Sequence, residues 1–326
     1  MPRVTRPLLS ALAVAMCVVL ASCPEVESGV GQGPTGHDGS DATAAGTESS
    51  GADIDSGVDD TSGAEILDVP PPAARSYFIA ESMDFSGNGC ENTDLNDVTE
   101  SLQAELNDEG WVGRRATEGQ TRPADFVDPT LRTFGQDHLE SDAVTLAVYA
   151  GHGGIDKLGW GTRDHTPDVW PTKRCIVTFS DDIRLGSHSG GWAKTVALLT
   201  SCTGRLACYK STLATNDLTQ VFAFNNSPII WSNAARRFYR KSEDMSNRDA
   251  WITAMDNRPG FKKNSPVVYT RGTSEDEVLE LHQSARLPRI EQIPSAQGTT
   301  WFAYTWVDHG LHGDCKLPSD CVGVDD

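Results

Sequence analysis

Basic residues are scarce in this chain. Its 326 residues include 27 Lys and Arg against 46 Asp and Glu, which gives a formal net charge of −19 at pH 7. A chain this acidic lacks the positive surface that a nucleic acid or an anionic membrane would attract. We therefore expect no nucleic-acid partner and no polybasic membrane contact.

One stretch lacks basic and aromatic residues altogether. Residues 24–72 hold eleven Asp and Glu, no Lys or Arg, and no Phe, Trp or Tyr. Such a segment cannot bury enough apolar surface to offset the entropy lost on ordering, so we predict a disordered acidic tether. Its acidic run, residues 53–60, lacks the ligand spacing of an EF-hand calcium loop.

Long apolar runs are also missing, apart from one at the amino terminus. Residues 8–20 are apolar but too short to be identified as a spanning helix. Two arginines precede this run and Leu-Ala-Ser-Cys ends it at Cys23, a pattern typical of a secretory signal. The ending resembles a bacterial lipobox, which implies cleavage before Cys23 and lipid on its side chain. The alternative is an ordinary secretion signal in which Cys23 stands by chance.

These features divide the chain. We predict a lipoprotein signal peptide over residues 1–22, the lipidated Cys23 with its tether over 23–72, a folded domain over 73–310 and a tail over 311–326. The folded part and tail hold 35 acidic and 25 basic residues. The protein is then expected to be exported and to be anchored through Cys23 to the outer membrane or to a periplasm-facing membrane.

The cysteines leave two interpretations open. Besides Cys17 in the signal and Cys23, six remain: Cys90, Cys175, Cys202, Cys208, Cys315 and Cys321. In an exported protein they could form three disulfides, or two disulfides with a reactive thiol and one further free cysteine left over. His309, His312, Cys315 and Cys321 have spacings that would suit zinc, but a Cys315–Cys321 disulfide is the favoured interpretation and we predict no metal.

Apolar runs alternate with helical patterns along the folded region. We predict an α/β fold with a mainly parallel sheet, because several of the runs are continuously apolar, as in strands buried on both faces. Strands are expected at 76–80, 111–115, 143–150, 175–179, 195–200, 221–224, 229–231, 267–270 and 299–307. Helices are expected at 95–106, 206–218, 233–241, 247–256 and 275–281.

Two of these strands end in residues that can do chemistry. The run 143–150 leads into Gly-His-Gly-Gly with His152, and the run 195–200 leads into Ser-Cys-Thr-Gly with Cys202. In open parallel sheets ligands bind outside the carboxyl ends of the strands. If the two strands are neighbours, His152 and Cys202 meet at one edge of the sheet.

An apolar strand ending in His-Gly, followed about 50 residues later by one ending in Ser-Cys, resembles the caspase, gingipain and clostripain group of cysteine peptidases. The resemblance implies a three-layer caspase-like sandwich and cleavage of a peptide or protein substrate without a cofactor. It also implies a Cys-His dyad in which Cys202 is the nucleophile and His152 the general acid and base. The N–H groups of Gly153 and Cys202 would then form the oxyanion hole.

The sequence departs from the caspase motif before the cysteine. Gln-Ala-Cys-x-Gly is here Thr-Ser-Cys-Thr-Gly over residues 200–204, so the glycine is kept and the glutamine is not. More loosely, an early Gly-Cys loop, a helix ending in Gly-Trp and the later pair Ala250-Trp251 are similar to bacterial exported proteins with a caspase-like core whose activity is not established. The substrate preference is not apparent from these motifs.

Other candidate sites are weaker. Residues 186–191 resemble a serine nucleophile elbow but place His188 where the serine belongs, so a polar loop is expected. Asp181 and Asp182 are expected to be solvated. The contrasting interpretation of the whole chain is a catalytically inactive surface lipoprotein that binds protein or glycan, with its cysteines in disulfides.

Overall fold

A computed structural model describes residues 73–82, 97–161, 175–186, 191–206, 217–256, 264–296, 301–307 and 309. The predicted signal, the predicted lipidation site Cys23, the predicted tether and the 311–326 tail lie outside these residues. Among the helices within them, none combines the length and apolar character that crossing a membrane requires.

Seven strands form the main sheet: β1 (Ser76–Glu81), β2 (Val112–Thr117), β3 (Leu146–Ala150), β7 (Thr195–Leu199), β8 (Gln220–Phe224), β9 (Pro266–Gly272) and β10 (Trp301–Trp306). Their order across the sheet is β10-β9-β8-β7-β3-β1-β2. Strands β2, β1, β3, β7 and β8 are parallel, whereas β9 is antiparallel to both β8 and β10. The sheet is thus mostly parallel, as predicted.

A second, three-stranded antiparallel sheet follows β3 directly. It consists of β4 (His152–Gly154), β5 (Lys157–Gly159) and β6 (Ile176–Thr178). The apolar run 175–179 was expected to join the parallel sheet, and that expectation is wrong. Its three-residue strand pairs with β5 instead.

Four α-helices lie within the described ranges: α1 (Glu100–Asp108), α2 (Ala234–Asp244), α3 (Asn247–Asp256) and α4 (Glu275–Ser284). Helix α4 begins at an N-cap, Ser274, whose side chain accepts a hydrogen bond from the Glu277 N–H at 3.2 Å. This bond satisfies one of the donors left unpaired at a helix start. Most of the predicted 206–218 helix lies outside the described residues.

The core lies on both faces of the main sheet because side chains alternate along each strand. On β1, Tyr77 and Ile79 join a buried cluster with α1, α2 and α3. Phe78 and Ala80 join a second cluster with the small sheet and the segment around Phe126. Helices therefore cover one face, and the small sheet with short 3₁₀ turns covers the other.

The predicted strand at 229–231 is not a strand. The side chain of Asn264 takes the place of a pairing strand there: its Oδ1 accepts the Ile229 N–H at 2.8 Å and its Nδ2 donates to the Ile229 carbonyl at 3.1 Å. Once an amide side chain satisfies both backbone groups of Ile229, no strand partner is needed at that residue.

Candidate functional site at the carboxyl edge of the sheet

The carboxyl ends of β3 and β7 lie side by side. The strands are parallel with Ala150 opposite Leu199, and the Gly151 N–H donates to the Leu199 carbonyl at 3.4 Å. His152 follows the end of β3, and Cys202 follows the end of β7. The register therefore brings both predicted site residues to the same edge of the sheet.

This edge includes the point where the strand order reverses. From β1 the chain goes outward to β2 and then returns to form β3 on the other side of β1. In open α/β sheets such a reversal leaves a crevice at the carboxyl ends of the strands, where ligands bind. His152, at the end of β3, lies at the reversal.

His152 is held by the small sheet as well as by β3. It opens β4 opposite Gly159 of β5, and its carbonyl accepts a hydrogen bond from the Tyr149 hydroxyl at 3.0 Å. The same hydroxyl also bonds to the Gly159 carbonyl. The histidine is half-buried, and its Nε2 atom is buried. Tyr149 thus holds the backbone of His152, the residue that carries the imidazole.

Gly153 stands where a side chain would not fit. A Cβ added there would lie 2.2 Å from Thr200 Oγ1 and 3.0 Å from the Lys157 carbonyl oxygen. The glycine therefore lets the β4 backbone pack closely against the end of β7. Its predicted role as an oxyanion donor remains a prediction.

Cys202 adopts an unusual backbone conformation and is buried. Its φ of 60° lies in the left-handed region, and its exposed fraction is 3%. Cys202 is disulfide-bonded, and so is Cys175. A sulfur in a disulfide is not a thiolate, so Cys202 cannot act as a nucleophile in this form.

The N–H of Cys202 is already in use. It donates to the Asn226 carbonyl at 3.1 Å, and the Gly204 N–H donates to the Phe224 carbonyl at 3.0 Å. These bonds tie the chain after β7 to β8 and the residues that follow it. The expectation that the Cys202 N–H completes an oxyanion hole is therefore wrong for this structure.

Polar residues after β8 complete the edge, and the sequence analysis did not select them. Ser227 Oγ lies 3.0 Å from Ser201 Oγ. The Asn226 side chain donates to Ser265 Oγ at 2.9 Å and accepts the Ser265 N–H at 2.9 Å. The signal was present in the sequence as Asn-Asn-Ser after an apolar strand, the same pattern that selected His152 and Cys202.

A buried carboxylate ends β1. Glu81 is 1% exposed, and it accepts hydrogen bonds from the Val98 N–H at 2.8 Å, from the Thr99 hydroxyl and from Arg115. Burial raises the pKa of Glu81, while these three donors lower it. Because this carboxylate is fully engaged, it supports the end of β1 and is not free to contact a ligand.

The described residues include Asp182 and His309 among the weaker candidates. Asp182 is buried instead of solvated, since it pairs with Arg132 at 3.0 Å and accepts the Thr178 N–H at 3.0 Å. His309, from the zinc alternative, pairs with Asp256 of α3. The remaining residues of the zinc alternative, residues 187–190 of the elbow, Cys90 and Cys208 lie outside the described residues.

A comparison with protein-family models and with curated proteins finds no match for this chain.

Proposed function

We propose that the domain is a caspase-like cysteine peptidase that becomes active when the disulfide at Cys202 is reduced. The observation that carries the proposal is the parallel pairing of β3 with β7, which sets His152 and Cys202 at one edge of the sheet. The strand order, which reverses between β1 and β3, supports the same location for a substrate.

Activation would be a thiol–disulfide exchange. A small-molecule thiol attacks the disulfide, two electrons pass to the protein, and Cys202 is released as a thiol while the reductant is oxidised to its own disulfide. The imidazole of His152 would then take the thiol proton, and the thiolate would attack the scissile carbonyl. His152 would return that proton to the leaving amine, and water would release the acyl group from sulfur.

Gly153 would supply one oxyanion donor in this mechanism. A glycine N–H is open to a substrate carbonyl because no side chain shields it. Since the Cys202 N–H donates to the Asn226 carbonyl, a second N–H or O–H donor to the oxyanion would have to come from another group of the protein or of the substrate.

The cellular setting remains a proposal from the sequence motif alone. Lipid on Cys23 would hold the domain at the cell envelope, with the acidic tether of residues 24–72 separating it from the membrane surface. The substrates would then be peptides or proteins that reach that compartment.

A peptide-library cleavage assay tests the peptidase, run with and without a thiol reductant. The wild type should cleave only in reductant, and both Cys202→Ser and His152→Ala should lose cleavage by at least about a hundredfold. Cys175→Ser is the matched control, because it removes a disulfide without removing the proposed nucleophile, and it should cleave in reductant as the wild type does. Cleavage that survives Cys202→Ser would contradict the mechanism.

A second function is favoured by the disulfide itself. An oxidised, buried Cys202 with its N–H engaged is what a non-catalytic, disulfide-stabilised binding domain would contain. Such a domain would bind protein or glycan at the same edge. It would cleave nothing in reductant, and Cys202→Ser would bind a peptide or glycan array as the wild type does.

A further inference from the structure

Arg205 is a buried arginine close to the candidate site. It is 3% exposed, and it follows Cys202 by three residues. Its N–H donates to the Cys202 carbonyl at 3.1 Å, which is the hydrogen bond of a four-residue turn whose ends lie within about 7 Å of each other. Arg205 therefore stands at the carboxyl edge of the sheet, beyond the end of β7.

The backbone next to Arg205 is held against two strands. The Gly204 N–H donates to the Phe224 carbonyl of β8 at 3.0 Å, and the Gly204 carbonyl accepts a hydrogen bond from the Tyr269 hydroxyl of β9 at 3.0 Å. A Cβ added to Gly204 would lie 2.3 Å from Val267 Cγ1. Because Gly204 packs this closely, Arg205 cannot leave the protein interior without breaking these contacts.

No described residue balances the charge of Arg205. No Asp or Glu of the described ranges forms an ion pair with it, and its Nε is buried without a hydrogen-bond partner among them. Other arginines with little exposure do have a carboxylate, in the pairs Arg115–Glu81, Arg248–Asp249 and Arg271–Asp217. Arg205 is thus an exception within this structure.

A buried arginine without a partner needs an anion from outside. A buried aspartate can become neutral by taking up a proton, but a guanidinium keeps its charge in proteins. Burial of an unpaired charge destabilises the folded state strongly. What is missing beside Arg205 is a negative charge that accepts hydrogen bonds.

We infer that Arg205 binds a small monovalent anion at the carboxyl edge of the sheet, with chloride as the probe. One guanidinium balances one negative charge, whereas a phosphate group carries nearly two at pH 7. With an exposed fraction of 3%, Arg205 is accessible to a small ion and not to an extended peptide. The guanidinium N–H groups are all donors, so an ion that only accepts hydrogen bonds suits them.

The ion would stabilise the turn that carries Cys202. The turn begins at the Cys202 carbonyl and ends at Arg205, and its Gly204 is bonded to β8 and β9. An anion on Arg205 removes the cost of the buried charge only in the folded chain, so binding favours folding. The inference concerns the oxidised protein and does not depend on the proposed peptidase activity.

Thermal unfolding of the oxidised full chain tests the site, with chloride titrated against gluconate, a bulky monovalent anion. A constant ionic strength keeps the screening of surface charges equal in all samples. The Tm of the wild type should rise by roughly 3–6 °C at a tenfold excess of chloride over Kd. Sulfate, which is larger and carries two charges, should not reproduce the rise.

Arg205→Met keeps an unbranched side chain and removes its charge, so the Tm of this variant should be the same in chloride and in gluconate. In gluconate it should unfold no earlier than the wild type, because no buried charge is left unbalanced. Arg236→Met is the matched control. Arg236 of α2 already pairs with Glu105 at 2.8 Å, so this variant should respond to chloride as the wild type does.

Crystals of the wild type grown in bromide give a second readout that needs no variant. Anomalous scattering should locate a bromide ion against the Arg205 guanidinium. Four outcomes would overturn the inference: an equal wild-type Tm in chloride and gluconate, a chloride response in Arg205→Met as large as in the wild type, an equal rise in sulfate, or a guanidinium that contacts only water in the bromide crystals.

Discussion

The structure restricts which residue can stand at position 153 and at position 202, which are occupied by Gly153 and Cys202. At Gly153 the constraint is space, because Thr200 Oγ1 fills the place of a Cβ. At Cys202 the constraint is conformation, since a left-handed backbone costs a non-glycine residue on the order of 1 kcal/mol or more. The hydrogen bond from its N–H to Asn226 and the disulfide help to hold that conformation.

Gly153→Ala should destabilise the domain by about 1–3 kcal/mol, because the new methyl group meets Thr200. Thr200→Ala in the same chain should recover part of that loss, since it removes the contacting atoms and Thr200 Oγ1 has no hydrogen-bond partner among the described residues. Urea unfolding measures both variants. Gly119→Ala is the control, because no atom lies within 4 Å of a Cβ built there. Equal losses at the two glycines would contradict the account of the contact.

His282 is a buried residue whose protonation state matters for stability. Its Nδ1 lies 2.8 Å from Thr270 Oγ1 of β9, and its Nε2 lies 2.7 Å from Thr305 Oγ1 of β10. Burial, followed by the charge of Arg248, lowers the pKa of His282 to about 3. The folded protein therefore keeps this imidazole neutral at pH values where the unfolded chain would protonate it.

Stability that depends on His282 should be lost as the pH falls. The unfolded chain binds a proton at this histidine below a pH of about 6.5, whereas the folded chain does so only near the lowered pKa. Between pH about 7.5 and about 4.5, the wild type should lose about 2–3 kcal/mol more than His282→Gln, which has no charge to gain. Urea unfolding of both proteins at the two pH values checks this difference. Parallel losses in the two proteins would show that His282 is not the responsible group.

At the scale of elements, aromatic packing fixes α3 on the sheet. Trp251 of α3 lies against Phe222 and Phe224 of β8 and Phe238 of α2, with ring centroids 5.1–5.5 Å apart. Its Nε1 donates to the Ala223 carbonyl at 3.2 Å. One side chain therefore joins two helices to the strand next to β7.

Trp251→Phe should lower the free energy of unfolding by about 2–3 kcal/mol, through the smaller ring and the lost hydrogen bond. Trp192→Phe is the matched control: this tryptophan is 38% exposed, and its replacement should cost less than about 1 kcal/mol. Denaturant unfolding followed by far-UV circular dichroism measures both. If the two substitutions cost the same, α3 does not depend on this cluster.

The elements that could be predicted from the sequence are those with continuous apolar runs. The strands at β1, β3, β7 and β8 and the helices α2 and α3 carry their own pattern of burial, so local periodicity suffices for them. Strands β4 and β5 could not be predicted, because they have three residues each and β4 begins in a glycine-rich stretch, whereas β6 was predicted as a strand but assigned to the wrong sheet. The support of Ile229 by Asn264 depends on a contact between residues 35 positions apart, which no local pattern encodes.

The same limit applies to the candidate site. The placement of His152 and Cys202 at one edge of the sheet was predictable, because each residue follows an apolar strand. The disulfide at Cys202, the engagement of its N–H by Asn226 and the burial of Arg205 depend on tertiary neighbours. The sequence therefore predicts which edge of the sheet carries the site. Tertiary contacts determine the oxidation state and the hydrogen bonds of the residues at that edge.

At the scale of the whole molecule, the candidate site lies at the carboxyl end of β3, next to the carboxyl end of β7. This end of the sheet holds the proposed Cys202–His152 pair. The central claim concerns this pair.

The rate of alkylation of Cys202 after reduction tests that claim most directly. The protein is reduced, treated with iodoacetamide at pH about 6, and digested so that labelling of Cys202 and Cys175 is followed separately by mass spectrometry. If the two side chains meet, His152 favours the thiolate, and Cys202 should react at least about tenfold faster in the wild type than in His152→Ala, while Cys175 is unchanged. Equal rates at Cys202 in the two proteins would mean that His152 does not act on this sulfur, and the proposed dyad would be wrong.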